Sequence, residues 1–144
     1  MRMNSEFTIA VHSLVYLASR PDRMATSDAI ARNVNTHPSR IRKVMSLLRK
    51  QGYIGTKEGI GGGYLLERLP EQTTLAEIYS ATSFGSIKPG WCSGGEVGDC
   101  MIACRMEAVM DEIFTETEAK LLQHLESMTI RDVLQRVKAE ETST

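Results

Sequence analysis

Cys92, Cys100 and Cys104 carry the most reactive side chains of the chain, and their spacing, C-x7-C-x3-C, limits what they can do. Residues four apart in a helix share a face with Cβ atoms ~5 to 6 Å apart, whereas a disulfide wants them ~3.8 Å apart. Cys100 and Cys104 are therefore expected not to bridge inside an intact helix, yet both can point at one metal centre. Cys92 lies in a stretch without helical periodicity and can fold back as a third ligand. Thiolate clusters of this kind suit iron–sulfur centres or zinc. Thiol oxidation is the competing chemistry: a helix N-terminus lowers a thiol pKa, so that Cys100, or Cys92 in its loop, reacts and a new disulfide rearranges the molecule. Unreactive cysteines are the third reading. An odd number of cysteines without a secretory signal speaks against a structural disulfide framework.

A second constellation is electrostatic. Between His37 and Lys57 stand Arg40, Arg42, Lys43, Arg49, Lys50 and Lys57, with no acidic residue among them. An acid-free basic run is the footprint of phosphate contact. If the run is a recognition helix, its N-terminal half enters the major groove, which makes Ser39, Arg40, Arg42 and Lys43 candidates for base edges and phosphates. Arg49 follows on the same polar side, and Lys57 is placed to reach the adjacent minor groove or backbone. The bland alternative is a solvated basic face on a helical domain.

The elements that would position these residues can be read from periodicity. Phe7, Ala10, Val11, Leu14, Leu17 and Ala18 recur at helical spacing and stop before Arg20-Pro21-Asp22. Thr26-Ser27-Asp28 caps a short helix that ends near Asn33-Val34-Asn35. Thr36-His37-Pro38 then opens a third helix whose buried stripe is Ile41, Val44, Met45 and Leu48, running to Gly52. Two short helices joined by a tight polar turn are a helix-turn-helix. After Gly52 the period becomes strand-like, Tyr53 to Lys57 and Gly63 to Leu66, around a glycine-rich loop: a β-hairpin wing. The glycines do not form a nucleotide fingerprint, because Tyr64 occupies the place of the third glycine of G-x-G-x-x-G and the cluster opens no helix.

Beyond the wing, Thr74-Leu75-Ala76-Glu77 is a capping box that starts a short helix through Ala81. Phe84 to Gly98 has no periodicity. From about Cys100, a single apolar stripe of Met106, Val109, Met110, Ile113, Phe114, Thr117, Leu121, Leu125 and Met128 predicts one long helix. A second capping box, Thr129-Ile130-Arg131-Asp132, opens a last helix with Val133, Leu134 and Val137 inward. The long helix, roughly 42 Å at ~1.5 Å per residue, exceeds what the winged domain needs for its own core. Folding back on its own domain is one solution. A two-fold dimer suits the stripe better, since symmetry lets an apolar face bury itself.

The fold class read from this pattern is mainly α with a small β-hairpin wing: a winged helix-turn-helix followed by a long C-terminal dimerisation helix. Residues 1–82 form the DNA-binding domain, 83–99 a cysteine-containing sensor loop, and 100–144 the dimerisation helix and C-terminal helix. The formal net charge of −1 conceals an asymmetry: residues 1–70 hold 11 Lys and Arg against 5 Asp and Glu, and residues 71–144 hold 6 against 13. The basic half fits a polyanion and the acidic half avoids it. No stretch approaches the ~18 apolar residues of a membrane span, and the start Met1 to Glu6 is unlike a signal peptide, so a cytoplasmic protein without membrane contact is expected.

Gly59-Ile60-Gly61-Gly62-Gly63-Tyr64-Leu65-Leu66, followed by Pro70 and Thr74-Leu75-Ala76-Glu77-Ile78-Tyr79, resembles the Rrf2 family of bacterial transcriptional regulators. The likeness spans nearly the whole chain and includes Val34 to Lys43 and Met128 to Leu134. The resemblance implies a homodimer on palindromic operators, usually a repressor, with a signal read near the base of the dimer helix. It also implies an iron–sulfur cluster held by Cys92, Cys100 and Cys104. In some cluster-binding members of the family the fourth ligand is a histidine three residues past the last cysteine, where this chain has Glu107. In others it is an acidic residue of the first helix, where this chain has Thr8. His12, one turn beyond Thr8 on the same face, is the candidate fourth ligand, from the partner subunit.

The expected function is a homodimeric DNA-binding regulator that answers a redox or iron–sulfur signal at its cysteines. One alternative is an iron–sulfur or zinc redox protein or enzyme. No Ser/His/Asp or Cys/His set supports it, since His12, His37 and His124 fall in different predicted helices. A winged-helix interaction module that binds no DNA is the other alternative, and it has no need of six basic residues on one helix and wing.

Overall fold

The computed structural model describes residues 5–88 and 101–142, so Cys92 and Cys100 lie outside the described residues. The first helix, α1 (Ser5–Ser19), buries Ile9, Ala10, Ser13, Leu14, Val15 and Leu17. That is more than one stripe, and α1 is the central helix of the core. Ser13 is tolerated there because its hydroxyl donates to the Ile9 carbonyl at 2.7 Å.

Helix α2 (Ser27–Val34) starts where the Thr26 hydroxyl accepts the Ala29 N–H at 3.1 Å. It ends at Asn35, whose left-handed conformation (φ 64°, ψ 53°) turns the chain into α3 (Pro38–Lys50). His37 caps α3 by accepting the Ser39 N–H at 3.3 Å, and Pro38 follows in the first turn, where a missing N–H costs nothing. Ile41, Val44, Met45 and Leu48 are all buried, as their spacing requires.

The sheet has three strands where the sequence shows two. Strands β2 (Ile54–Lys57) and β3 (Gly63–Leu66) form the antiparallel wing, with Ile54 opposite Leu66 and Lys57 opposite Gly63. Strand β1 (Met24–Ala25) pairs with the other edge of β3, Met24 opposite Leu65 and Ala25 opposite Tyr64, giving the order β1-β3-β2. The wing is thus tied to the linker between α1 and α2.

A single 3-10 turn (Pro70–Gln72) leads to α4 (Leu75–Thr82), whose capping box is fully formed: Glu77 N–H to the Thr74 hydroxyl at 3.2 Å, Thr74 N–H to the Glu77 carboxylate at 3.1 Å. Helix α5 (Met101–Glu126) runs about 39 Å at ~1.5 Å per residue. Helix α6 (Ile130–Thr142) begins with the second capping box, Asp132 N–H to the Thr129 hydroxyl at 3.2 Å and Thr129 N–H to the Asp132 carboxylate at 2.9 Å. The backbones on either side of α4 and α5 are clasped together. Leu75 N–H donates to the Met128 carbonyl and Ile130 N–H to the Thr73 carbonyl, both at 2.9 Å.

The core gathers α1, α2, α3, α4 and the sheet with the start of α6, and Leu14, Leu17, Ile30, Ile41, Met45, Leu48, Ile54, Ile78 and Ile130 are among its fully buried large side chains. Each contributes roughly 1.5–3 kcal/mol of burial. Helix α6 packs back on α1, with Val133 and Leu134 against the core. Val137, expected inward, is 57% exposed because the helix has by then run past the core. Helix α5 is covered mainly toward its C-terminal end, at Glu118, Leu121, Leu122 and Leu125, with Met110 and Phe114 half-buried. Met101, Ile102, Met106, Val109 and Ile113 remain exposed on the single chain. No helix among the described residues is long and apolar enough to cross a membrane.

Candidate nucleic-acid interface

Because the apolar stripe of α3 is locked into the core, the rest of its surface faces outward: Ser39, Arg40, Arg42, Lys43, Arg49 and Lys50 are all exposed. Lys57 is exposed at the end of β2. The structure thus brings the basic run onto one helix face and the adjoining strand.

Three of these side chains already have neighbours within the chain. The Ser39 hydroxyl pairs with His37 Nδ1 at 2.9 Å, as part of the α3 cap. The Arg40 guanidinium donates to the hydroxyl of Ser5. Lys43 Nζ lies 2.9 Å from Glu6 Oε1. Both latter contacts come from the first turn of α1, and no spacing rule could have found them. They are weak holds: with Lys43 71% exposed against a half-buried Glu6, water screens the pair to about 1 kcal/mol, less than a phosphate offers a desolvated ammonium. Arg42, Arg49, Lys50 and Lys57 form no ion pair among the described residues.

The wing tip is narrow. The Gly62 N–H donates to the Gly59 carbonyl at 3.0 Å, and Gly59 and Gly61 have φ of 92° and 78°, a region that L side chains avoid. A Cβ at Gly62 would meet the Lys57 carbonyl at 2.1 Å, and one at Gly63 the Ala25 carbonyl at 2.4 Å. Ile60 stands at the apex, fully exposed.

Sequence reading missed a buried carboxylate. Glu118 is 4% exposed on α5, next to the Thr117 that the apolar stripe had selected. It accepts from the Tyr79 hydroxyl and from the Gly85 N–H, each at 2.7 Å, so its charge is satisfied rather than stranded. Tyr79 also stacks edge-on against Phe7 of α1, with centroids 5.5 Å apart. Burial pushes the Tyr79 phenol above its usual pKa; the Ser86 hydroxyl opposes this and Glu118 adds to it. The start of the loop that leads to the cysteines is therefore fastened to α5 and α4 through Glu118.

Of the candidate ligands, Cys104 is exposed near the start of α5. Cys92 and Cys100 fall outside the described residues, and among the described residues no group of three or more His, Cys, Asp or Glu is placed to hold a metal. His12 Nε2 is 2.9 Å from Asn33 Oδ1, at the wall of a groove of about 670 Å³ that Phe7, Val11, Val133, Leu134 and Val137 also line. No described cysteine lines that groove.

Comparison with known proteins agrees with this architecture. The family model Rrf2, "Iron-dependent Transcriptional regulator", matches residues 3–136. The HTH-type transcriptional regulator NsrR of Halalkalibacterium halodurans is 28% identical over 93% of this chain and 90% of its own length. Among solved structures, T. potens IscR superposes with a TM-score of 0.70 at 20% identity, covering 100% of this chain and 92% of that one. The global cysteine regulator CymR of B. subtilis superposes with a TM-score of 0.67 at 20% identity, over 94% of this chain and 98% of that one. A winged helix-turn-helix with its basic helix exposed, and a family match from the first helix to the last, together place the chain in the Rrf2 family of transcriptional regulators, and not among enzymes.

Proposed function

We propose that the chain is a homodimeric, cytoplasmic repressor that binds palindromic operators through Ser39, Arg40, Arg42, Lys43, Arg49 and Lys57, and that its affinity answers a signal at its cysteines. The observation that carries the DNA reading is the exposed, acid-free basic face of α3 continuing to Lys57 on the wing. Selection on random duplex DNA tests it. A recovered two-fold sequence, bound with steep salt dependence, is the expected result, and no binding at low salt on any duplex refutes it.

The exposed face of α5, Met101, Ile102, Met106, Val109 and Ile113, supports the homodimer, since two copies related by a two-fold axis cover it together. Cys104 near the N-terminal end of that helix, with Cys100 and Cys92 four and twelve residues earlier in sequence, gives a donor set that suits an iron–sulfur cluster. Cys92, Cys100 and Cys104 would hold it, with the partner subunit's His12 as the fourth ligand. When bound, the cluster supplies a centre whose charge and integrity depend on redox state. The second reading is a thiol switch, favoured by the exposure of Cys104 near a helix start. Anaerobic reconstitution separates the two: brown protein with iron and sulfide supports the cluster, and colourless protein in which oxidation links Cys92 to Cys100 or Cys104 supports the switch.

A further inference from the structure

Ile60 is the least covered large apolar side chain of the described residues, with a relative exposure of 108%. A lone exposed isoleucine on a protein surface needs no explanation. This one differs in its mounting. Four of the five residues from Gly59 to Gly63 are glycine, and Gly59, Gly61 and Gly63 have positive φ. A side chain at Gly62 or Gly63 would collide with backbone carbonyls at 2.1 to 2.4 Å. The apex of the wing is therefore as thin as a polypeptide can be, and it carries one side chain, which is apolar. Strand β1 anchors the hairpin on its far edge, so the apex is held at a fixed place relative to α3.

We infer that Ile60 is a wedge for the minor groove of duplex DNA, next to the major-groove site of α3. The inference rests on the DNA-binding reading above. The minor groove is ~6 Å wide, which admits a bare glycine turn and excludes a loop with side chains on both flanks. Glu58, next to the apex, opposes phosphate contact there, which leaves that role to Lys57 at the end of β2. What remains to contribute is apolar contact with sugar and base edges and partial insertion at a base step. Apolar side chains do this at steps that unstack readily, above all TA and CA. The same geometry assigns Ile60 a role in specificity: it selects deformable steps at the flank of the site, while Arg40 and Arg42 read base edges inside it.

The test begins with the DNA sequence recovered by selection, with 2-aminopurine placed at each flanking step in turn. Fluorescence anisotropy gives affinity, and 2-aminopurine emission gives unstacking. Wild-type protein and Ile60→Met should both raise emission at one flanking step. Ile60→Ser should abolish that rise and weaken binding roughly tenfold, with the loss concentrated on sites having TA or CA there and the salt slope unchanged. The variant is safe for folding, since Ile60 is fully exposed. Unchanged affinity and step preference in Ile60→Ser overturn the wedge while leaving DNA binding intact. A change in sedimentation mass with unaltered DNA affinity also overturns it, in favour of a protein contact. Failure of the wild-type protein to bind any duplex overturns both readings.

Discussion

The charges of α3 are not equivalent. Lys43 and Arg40 lean on Glu6 and Ser5, whereas Arg42, Arg49 and Lys57 stand clear. Arg42→Ala is expected to weaken specific binding by about 1 to 3 kcal/mol and relax preference at one base pair, as loss of a bidentate base contact does. Lys57→Ala should weaken all sequences alike and shallow the salt slope; titrations at two salt concentrations distinguish these outcomes. The basic run was legible in sequence because charge sign needs no partner to be seen. Glu118 was not, because its partners lie 33 and 39 residues away. Glu118→Ala strands the Gly85 N–H and leaves the Tyr79 hydroxyl only its 3.5 Å contact with the Ser86 hydroxyl, and is expected to cost about 1–3 kcal/mol in urea unfolding, with Glu118→Gln recovering part of it.

Among the elements, helix starts were legible in detail, since Thr26, Thr74 and Thr129 are caps whose chemistry is written in the residue itself. Strand β1 was not. Two residues have no period, and Met24 and Ala25 are a strand only because β3 lies beside them. The cap of α6 makes a pH prediction. The Thr129 N–H holds the Asp132 carboxylate below its usual pKa, first through this backbone bond and then through the Thr129 hydroxyl. A depressed folded-state value stabilises at pH above the unfolded one, and that contribution is lost as pH falls through the folded value. The difference in urea midpoint between wild type and Asp132→Asn should therefore be present at neutral pH and shrink below pH 3.8.

At the scale of the whole molecule, the apolar side chains exposed on the N-terminal half of α5 ask for a partner surface. Ile113→Glu puts a charge into that face and should yield monomers or aggregates by light scattering, with DNA binding lost in parallel. Replacing Cys92, Cys100 or Cys104 by Ser should remove iron and sulfide together from reconstituted protein while circular dichroism stays unchanged. Iron retained in full by any one of the three would take that residue off the ligand list. The architecture was legible because each helix announces its own face. The meeting of α1 and α6 was less so, because nothing local in either helix names the other.

A rod about 39 Å long that is held mainly toward one end, with the partly exposed Lys88–Asp111 pair farther along, is a lever. The grip on α5 is the Glu118 carboxylate, the Leu121, Leu122 and Leu125 contacts, and the backbone clasp of Thr73 and Leu75 with Met128 and Ile130. With the fulcrum there, a tilt of about 5° displaces the opposite tip by about 3 Å. The converse is more useful to a regulator. A modest force at the tip, where Cys104 sits, arrives at the fulcrum as torque, seven residues past the end of the strand β3 that carries the wing.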